Sequence, residues 1–320
     1  MIVWRDIAFV RDEFRNIPVE TRKPPGGLAS FVSRIGSAVT LIRDEPKILV
    51  FALLQWVCVL LGYLLWIQMA DWIPAYLWGN PTSPRELSVA DIASAAWAFV
   101  CVGIVSYPVG VLSGCMGAAH FLRSSNRAST FSSCFSMVLP QSRDLWLFHW
   151  IDGWITIDQI LDRIPSRTRA ASPTSRAMRE SLYYAWKMGV AGLLPGMITG
   201  SNLVRSARQS VEFAKDNLVE LAKLRAGYSL LCWIVGIGAY LGALVLIVTA
   251  DTGTAAIGIT ERIYPLFLWL ALPISIALAL VMLCLRPVYV IALCDLYADH
   301  VLRQNGHGIL RLKELDADAV

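Results

Sequence analysis

Long uncharged blocks alternate with short charged stretches along this chain, and their spacing sets the first expectation. Residues 48–69, "ILVFALLQWVCVLLGYLLWIQM", run for 22 positions without a charge, and 92–122 run for 31. Two further blocks, 227–250 and 264–285, are equally plain. A helix needs about 20 apolar residues to cross roughly 30 Å of hydrocarbon, so each block predicts one transmembrane helix. The blocks are continuous rather than alternating, which points away from a membrane barrel. The second is long for a perpendicular helix. Pro108 predicts a kink in it, and Gly110, Gly114 and Gly117 form a face that another helix can approach closely.

Two more segments are apolar but interrupted. Segment 145–162 contains "LFHWIDGWITIDQIL", with His149, Asp152 and Asp158, and segment 182–200, "LYYAWKMGVAGLLPGMITG", contains Lys187 and Pro195. If both cross, the bundle has six spans; if neither does, four. Residues 201–226 have a different pattern. Val204, Ala207, Val211, Ala214, Leu218 and Leu221 recur at spacings of three and four, with charges on the other faces. This predicts one amphipathic helix, about 37 Å long at 1.5 Å per residue, capped by Ser201 or Asn202.

Composition agrees with the blocks. Hydrophobic residues make up 56% of the 320 positions and charged residues 16%, with a mean hydropathy of +0.55, which excludes a water-soluble globule of this size. The formal charge is only +4, but its placement is uneven. Lys and Arg are frequent in 1–47 and after the last span, whereas Arg85 and Arg262 are the lone basic residues of 70–91 and 251–263. The positive-inside rule therefore places both termini in the cytoplasm. The same rule sets the connector holding Arg163, Arg167, Arg169, Arg176 and Arg179 against a crossing of the interrupted pair, and favours an interfacial position for 145–162. No cleavable leader is visible in the first 47 residues. Seven cysteines lie scattered without a C-x-x-C pair, so neither a disulfide framework nor a thiolate metal site is expected.

The order of features resembles a broad group of uncharacterised prokaryotic membrane proteins with six spans. It is carried by the lead-in "FVSRIGSAVTLIRDEPKILVFALLQ" and by "LLPGMITGSNLVRSARQSVEFAKDNLVELAKLRAGYSLL" with its Ala207 to Ser210 centre. The resemblance implies that 145–162 and 182–200 cross as the third and fourth helices; the expected location is the cytoplasmic (inner) membrane. It carries over no catalytic residue and no cofactor.

The expected fold is therefore all-α: a polytopic transmembrane helix bundle with four spans, a possible third pair and cytoplasmic amphipathic helices. Its parts are an amphipathic region 1–47, a first hairpin 48–122, a helical region 123–226 partly in the membrane, a second hairpin 227–294, and a tail 295–320. Candidate chemistry is sparse. His149, Asp152, Asp158 and Lys187 would form a polar intramembrane site, because a charge at membrane depth is normally paired, hydrated or functional. Asp295 and Asp299, one turn apart, are the only metal-ligand candidates, since hard cations favour paired oxygens. Nucleotide and nucleophile motifs are absent from the sequence, and nothing supports nucleic-acid binding. Three functions remain in view: an accessory or scaffold subunit docking a membrane or cytoplasmic partner through the 204–221 stripe, a small-solute or ion transporter using the polar site, or a lipid-modifying enzyme.

Overall fold

In the computed structural model, residues 28–72, 89–125, 127–161, 173–251 and 272–306 are described. All regular structure among them is helical. An amphipathic helix, α1 (Leu28–Asp44), leads into α2 (Lys47–Trp72) and α3 (Val89–Ser124). Then come the short α4 (Phe131–Val138), α5 (Ser142–Leu161), α6 (Pro173–Gly189) and the six-residue α7 (Leu193–Ile198). The chain continues through α8 (Leu203–Asp216), α9 (Leu218–Asp251), α10 (Leu272–Leu280) and α11 (Arg286–Gly306). A π-turn, Val281–Leu285, joins the last two. Its cause is local: Pro287 has no N–H for the Leu283 carbonyl and its ring would crowd it, so the chain widens, with the Arg286 N–H reaching Val281 O.

Among the described residues, four helical stretches are long and apolar enough to cross a membrane: Lys47–Gln68, Ala95–Ser124, Leu218–Leu246 and Leu272–Val301. Helices α2 and α3 form an antiparallel hairpin, since Gly62 meets Val105 while Gln55 reaches Val109 and Ser113. The helix α3 runs through Pro108 without interruption. It is the centre of the bundle: 39% of its apolar window is buried, against 6% for α9, which stands at the rim. On α9, Leu230, Trp233, Ile234, Ile237, Leu241 and Val245 all face outward, as lipid-facing residues do.

The glycines of α3 lie where other elements approach. A Cβ on Gly110 would lie 2.9 Å from Leu145 O, one on Gly114 2.7 Å from Val138, and one on Gly117 2.6 Å from Ile198. Around this seam Phe51, Met116, Phe121, Leu145, Met197 and Ile291 are fully buried.

Two boundaries differ from the sequence expectation. The helix expected over 201–226 stops at Asp216, because Asn217 leaves helical geometry, and Leu218 onward belongs to the membrane helix α9. The tail expected from 295 begins inside α11, which stays helical to Gly306. Residues 1–27, 162–172 and 307–320 lie outside the described residues, as do their basic side chains.

Candidate functional site

The helix α5 lies alongside α3 rather than across it. Leu145 and His149 sit against Gly110, the Trp146 indole donates to Gly103 O at 2.7 Å, and Trp150 donates to Phe99 O at 3.2 Å. Gly153 faces Val102 and Ser106, and Trp154 packs edge-on to Phe99. Rising numbers on α5 meet falling numbers on α3, so the two run antiparallel within the apolar stretch of α3.

The segment 182–200 is not one helix. Pro195 would drive its ring into the carbonyl four residues back, so α6 ends at Gly189 and the chain restarts as α7 with Pro195 in the first turn, where no N–H is needed. A break of this kind frees backbone groups. Ser210 of α8 answers two of them: its hydroxyl donates to Gly189 O at 2.6 Å and accepts from Gly192 N at 2.9 Å. Gly192 is required there, since a Cβ would lie 3.0 Å from the Ser210 Cα. The second end of α7 is closed by Gly200 at φ +93°, a left-handed position that suits glycine.

One turn above the break, α6 delivers its charge. Lys187 Nζ donates to Asp152 Oδ1 at 2.5 Å, and the Trp186 indole donates to the same oxygen at 3.1 Å. Both ends of the pair are largely shielded, with side-chain exposures of 18% and 25%. His149, the other member of the expected site on α5, turns its Nδ1 to Leu145 O, 3.0 Å away, where a ring N–H can donate to the carbonyl, rather than to the pair. The Asp158 side chain lies outside the described residues.

Side chains the sequence reading did not single out complete the layer. Arg286, directly after the π-turn, points its Nη2 at Ser113 Oγ, 3.4 Å away, and Ser113 also accepts from Gln55 Nε2 at 2.7 Å. Arg225 of α9 lies over the rings of Tyr183 and Tyr184 at 5.8 and 5.6 Å, and Lys187 lies 5.7 Å from the Tyr183 centroid. The charges of Asp152, Arg225 and Arg286 all act on Lys187. The available signal was a basic residue or amide inside an apolar run: Gln55 in 48–69, and Arg286 where 264–285 continues into "VYVIALC".

A second charged cluster lies farther along α11, in its middle turns. Asp295 and Asp299, the metal-ligand candidates, are bridged by one guanidinium: Arg34 Nη1 donates to Asp295 at 2.5 Å and Nη2 to Asp299 at 2.6 Å. His120 stands 3.9 Å from Asp295. The side chain between the carboxylates is thus a cation of the protein itself. Among the described residues no group of three or more His, Cys, Asp or Glu is placed to hold a metal ion. Cys134, the one cysteine outside the four apolar stretches, is buried, which pushes its thiol up to about 11 and keeps it protonated.

The 204–221 stripe is divided. Ala214 and Leu221 are buried and Ala207 packs partly on the core, while Val204, Val211 and Leu218 are 75%, 46% and 56% exposed. The inward face of α8 instead carries Ser206, Ser210 and Phe213, because the broken helix needs hydroxyls there.

Comparison with protein-family models, curated proteins and solved structures finds no match for this chain.

Proposed function

We propose that the chain crosses the inner membrane six times, with both termini cytoplasmic, and moves a small solute through the polar layer at the broken helix. The observation that carries this is the Asp152–Lys187 pair, closed by Trp186, beside the α6–α7 break and level with the middle of α3. A helix lying in the headgroups runs across its spanning neighbours, whereas α5 follows α3 turn by turn. Irregular backbone at membrane depth is tolerated where it is buried in protein or lines a path, and Ser210 supplies that burial here. Discontinuous helices meeting charged side chains near the midplane are how many transporters build a binding site. Helices α2, α3, α5, α6, α9 and α11 each bring a polar side chain to this layer, through Gln55, Ser113, Asp152, Lys187, Arg225 and Arg286.

Six crossings put the arginine connector outside, against the charge rule, so its side is decisive. With the native cysteines removed, Ser172→Cys or Ser175→Cys reacts with a membrane-impermeant thiol reagent in intact cells on this reading. Protection until lysis removes the third pair. For transport, proteoliposomes on solid-supported membranes should give currents on concentration jumps of small ionic solutes. Asp152→Asn should abolish them while the purified protein keeps its elution profile. Unchanged currents sink the proposal.

A second reading, an accessory subunit docking a protein partner, has its own observation in the exposed line Val204, Val211 and Leu218. Co-purification of a stoichiometric partner in mild detergent, lost in Val211→Glu, would favour it. The lipid-modifying reading has no such support, since Arg34 engages the acids on which it would rest.

A further inference from the structure

We infer that the polar layer binds an oxoanion, a carboxylate- or phosphate-type group held chiefly by Arg286 and Arg225. The inference rests on the proposed membrane depth of α5 and α6. The charges there do not balance. Among the described residues, Lys187, Arg225 and Arg286 bring three cations, and Asp152 is the single carboxylate acting on Lys187. Asp152 is also already committed, to Lys187 and to the Trp186 indole.

What the two arginines lack is an acceptor. Arg286 Nε and Arg225 Nη1 are shut off from solvent and have no hydrogen-bond partner among the described residues. Arg286 has only the hydroxyl of Ser113 and the sulfur of Met282, at 3.4 and 4.0 Å, within reach of its Nη atoms. Arg225 rests on the faces of Tyr183 and Tyr184, which favours the cation but uses no N–H. A buried N–H on a charged group that is left unmade is costly, and an ionised acceptor is its strongest partner. A guanidinium presents its donors as a planar fork that matches the paired oxygens of a carboxylate or phosphate, whereas a spherical halide can meet only part of it. A cationic substrate is disfavoured by the same excess, because like charges in a low-dielectric layer repel strongly.

Asp152 gains a role in this arrangement. It competes with the incoming anion for Lys187, so it sets affinity without contacting the ligand. This makes a prediction of opposite sign to that for a simple structural ion pair: removing the carboxylate tightens anion binding.

The test uses the full-length purified protein with sulfate and inorganic phosphate as probes, chloride as the ionic-strength control, and binding read by thermal shift and calorimetry. Sulfate and phosphate should raise the melting temperature at concentrations where chloride does nothing. Loss of one charge-assisted bond should weaken binding about tenfold in Arg286→Gln and in Arg225→Gln. Arg286→Lys, which keeps the charge and loses the fork, checks for misfolding and should recover binding in part. Asp152→Asn should bind the anion several-fold more tightly. Equal shifts with chloride, or unchanged affinity in both arginine variants, overturn the inference, as does weaker binding in Asp152→Asn. In nanodiscs, a phosphate shift that persists identifies a free solute. A shift lost when phosphatidylglycerol is included identifies a lipid phosphate as the occupant; both outcomes support the oxoanion. Binding without anion-driven current would remove the transport reading and leave the site, while currents indifferent to anions would remove the site and leave transport.

Discussion

Two charged clusters in this protein use the same chemistry with opposite balance. In the middle of α11, one arginine answers two carboxylates, and the Asp299 side chain is 45% exposed. In the layer beside the α6–α7 break, Lys187 pairs with one carboxylate while two further cations, Arg225 and Arg286, act on it among the described residues, and Lys187 is 18% exposed. Surplus acid on partly exposed side chains is relieved by water and counterions. Surplus cation among packed helices is relieved only by a partner. The first cluster therefore reads as a fastening of the amphipathic helix α1 onto α11, and the second as a place that recruits a charge.

The largest effect expected from breaking the contrast is at Lys187. Lys187→Met leaves Asp152 without its cation and should cost about 3 kcal/mol, the scale of breaking a buried ion pair by removing one partner. Thermal unfolding in detergent measures it. The double variant Asp152→Asn/Lys187→Met should recover most of the loss, because no charge is then stranded. If the single variant is as stable as wild type, the pair is hydrated and the contrast with the α11 cluster disappears.

Next in size is Ser210. Its hydroxyl is the partner of Gly189 O and Gly192 N at the break, so Ser210→Ala should cost about 1–3 kcal/mol, the usual penalty for buried polar groups left unmade. Protection of the Gly192 amide against hydrogen exchange should fall with it. Retained protection would mean that the break is open to water.

These two residues also show what was legible in the sequence. The four apolar stretches were plain, since hydrocarbon thickness imposes a length that composition cannot hide. Asp152 and Lys187 stood out as charges in apolar surroundings, and the structure joins them. The packing of α5 along α3 was not legible, because nothing in 145–162 names its neighbour until Gly103, Gly110 and Gly153 are seen to let the two helices approach. Neither was the split at Asn217, whose side chain bonds Phe213 O and His300 and so ends α8 where periodicity continues. Arg34 was hidden among other lead-in arginines. Only the fold brings it within reach of residues 261 and 265 positions later.

A smaller effect is expected at the α11 cluster. Arg34→Gln removes both charge-assisted bonds, but the carboxylates it leaves are partly in water, so the cost should be about 1 kcal/mol and should shrink as salt is raised. A salt-independent loss as large as that of Lys187→Met would show the two clusters to be equivalent.

The smallest effect sharpens the comparison at neighbouring residues. Val211 follows Ser210 on α8, yet the apolar residue faces out at 46% exposure and the hydroxyl is fully buried. Hydropathy alone would reverse them. If the inward polar face exists to complete the broken helix, Val211→Ser should change stability by no more than about 0.5 kcal/mol, the range for surface substitutions away from special features. Ala214→Ser, on the buried side of the same helix, should cost more despite being the milder change in volume. Melting temperatures of the two variants, compared in one detergent, decide the matter. A larger loss at Val211 than at Ala214 would mean that the outer face of α8 is itself packed against something, and that the line Val204, Val211 and Leu218 serves a partner.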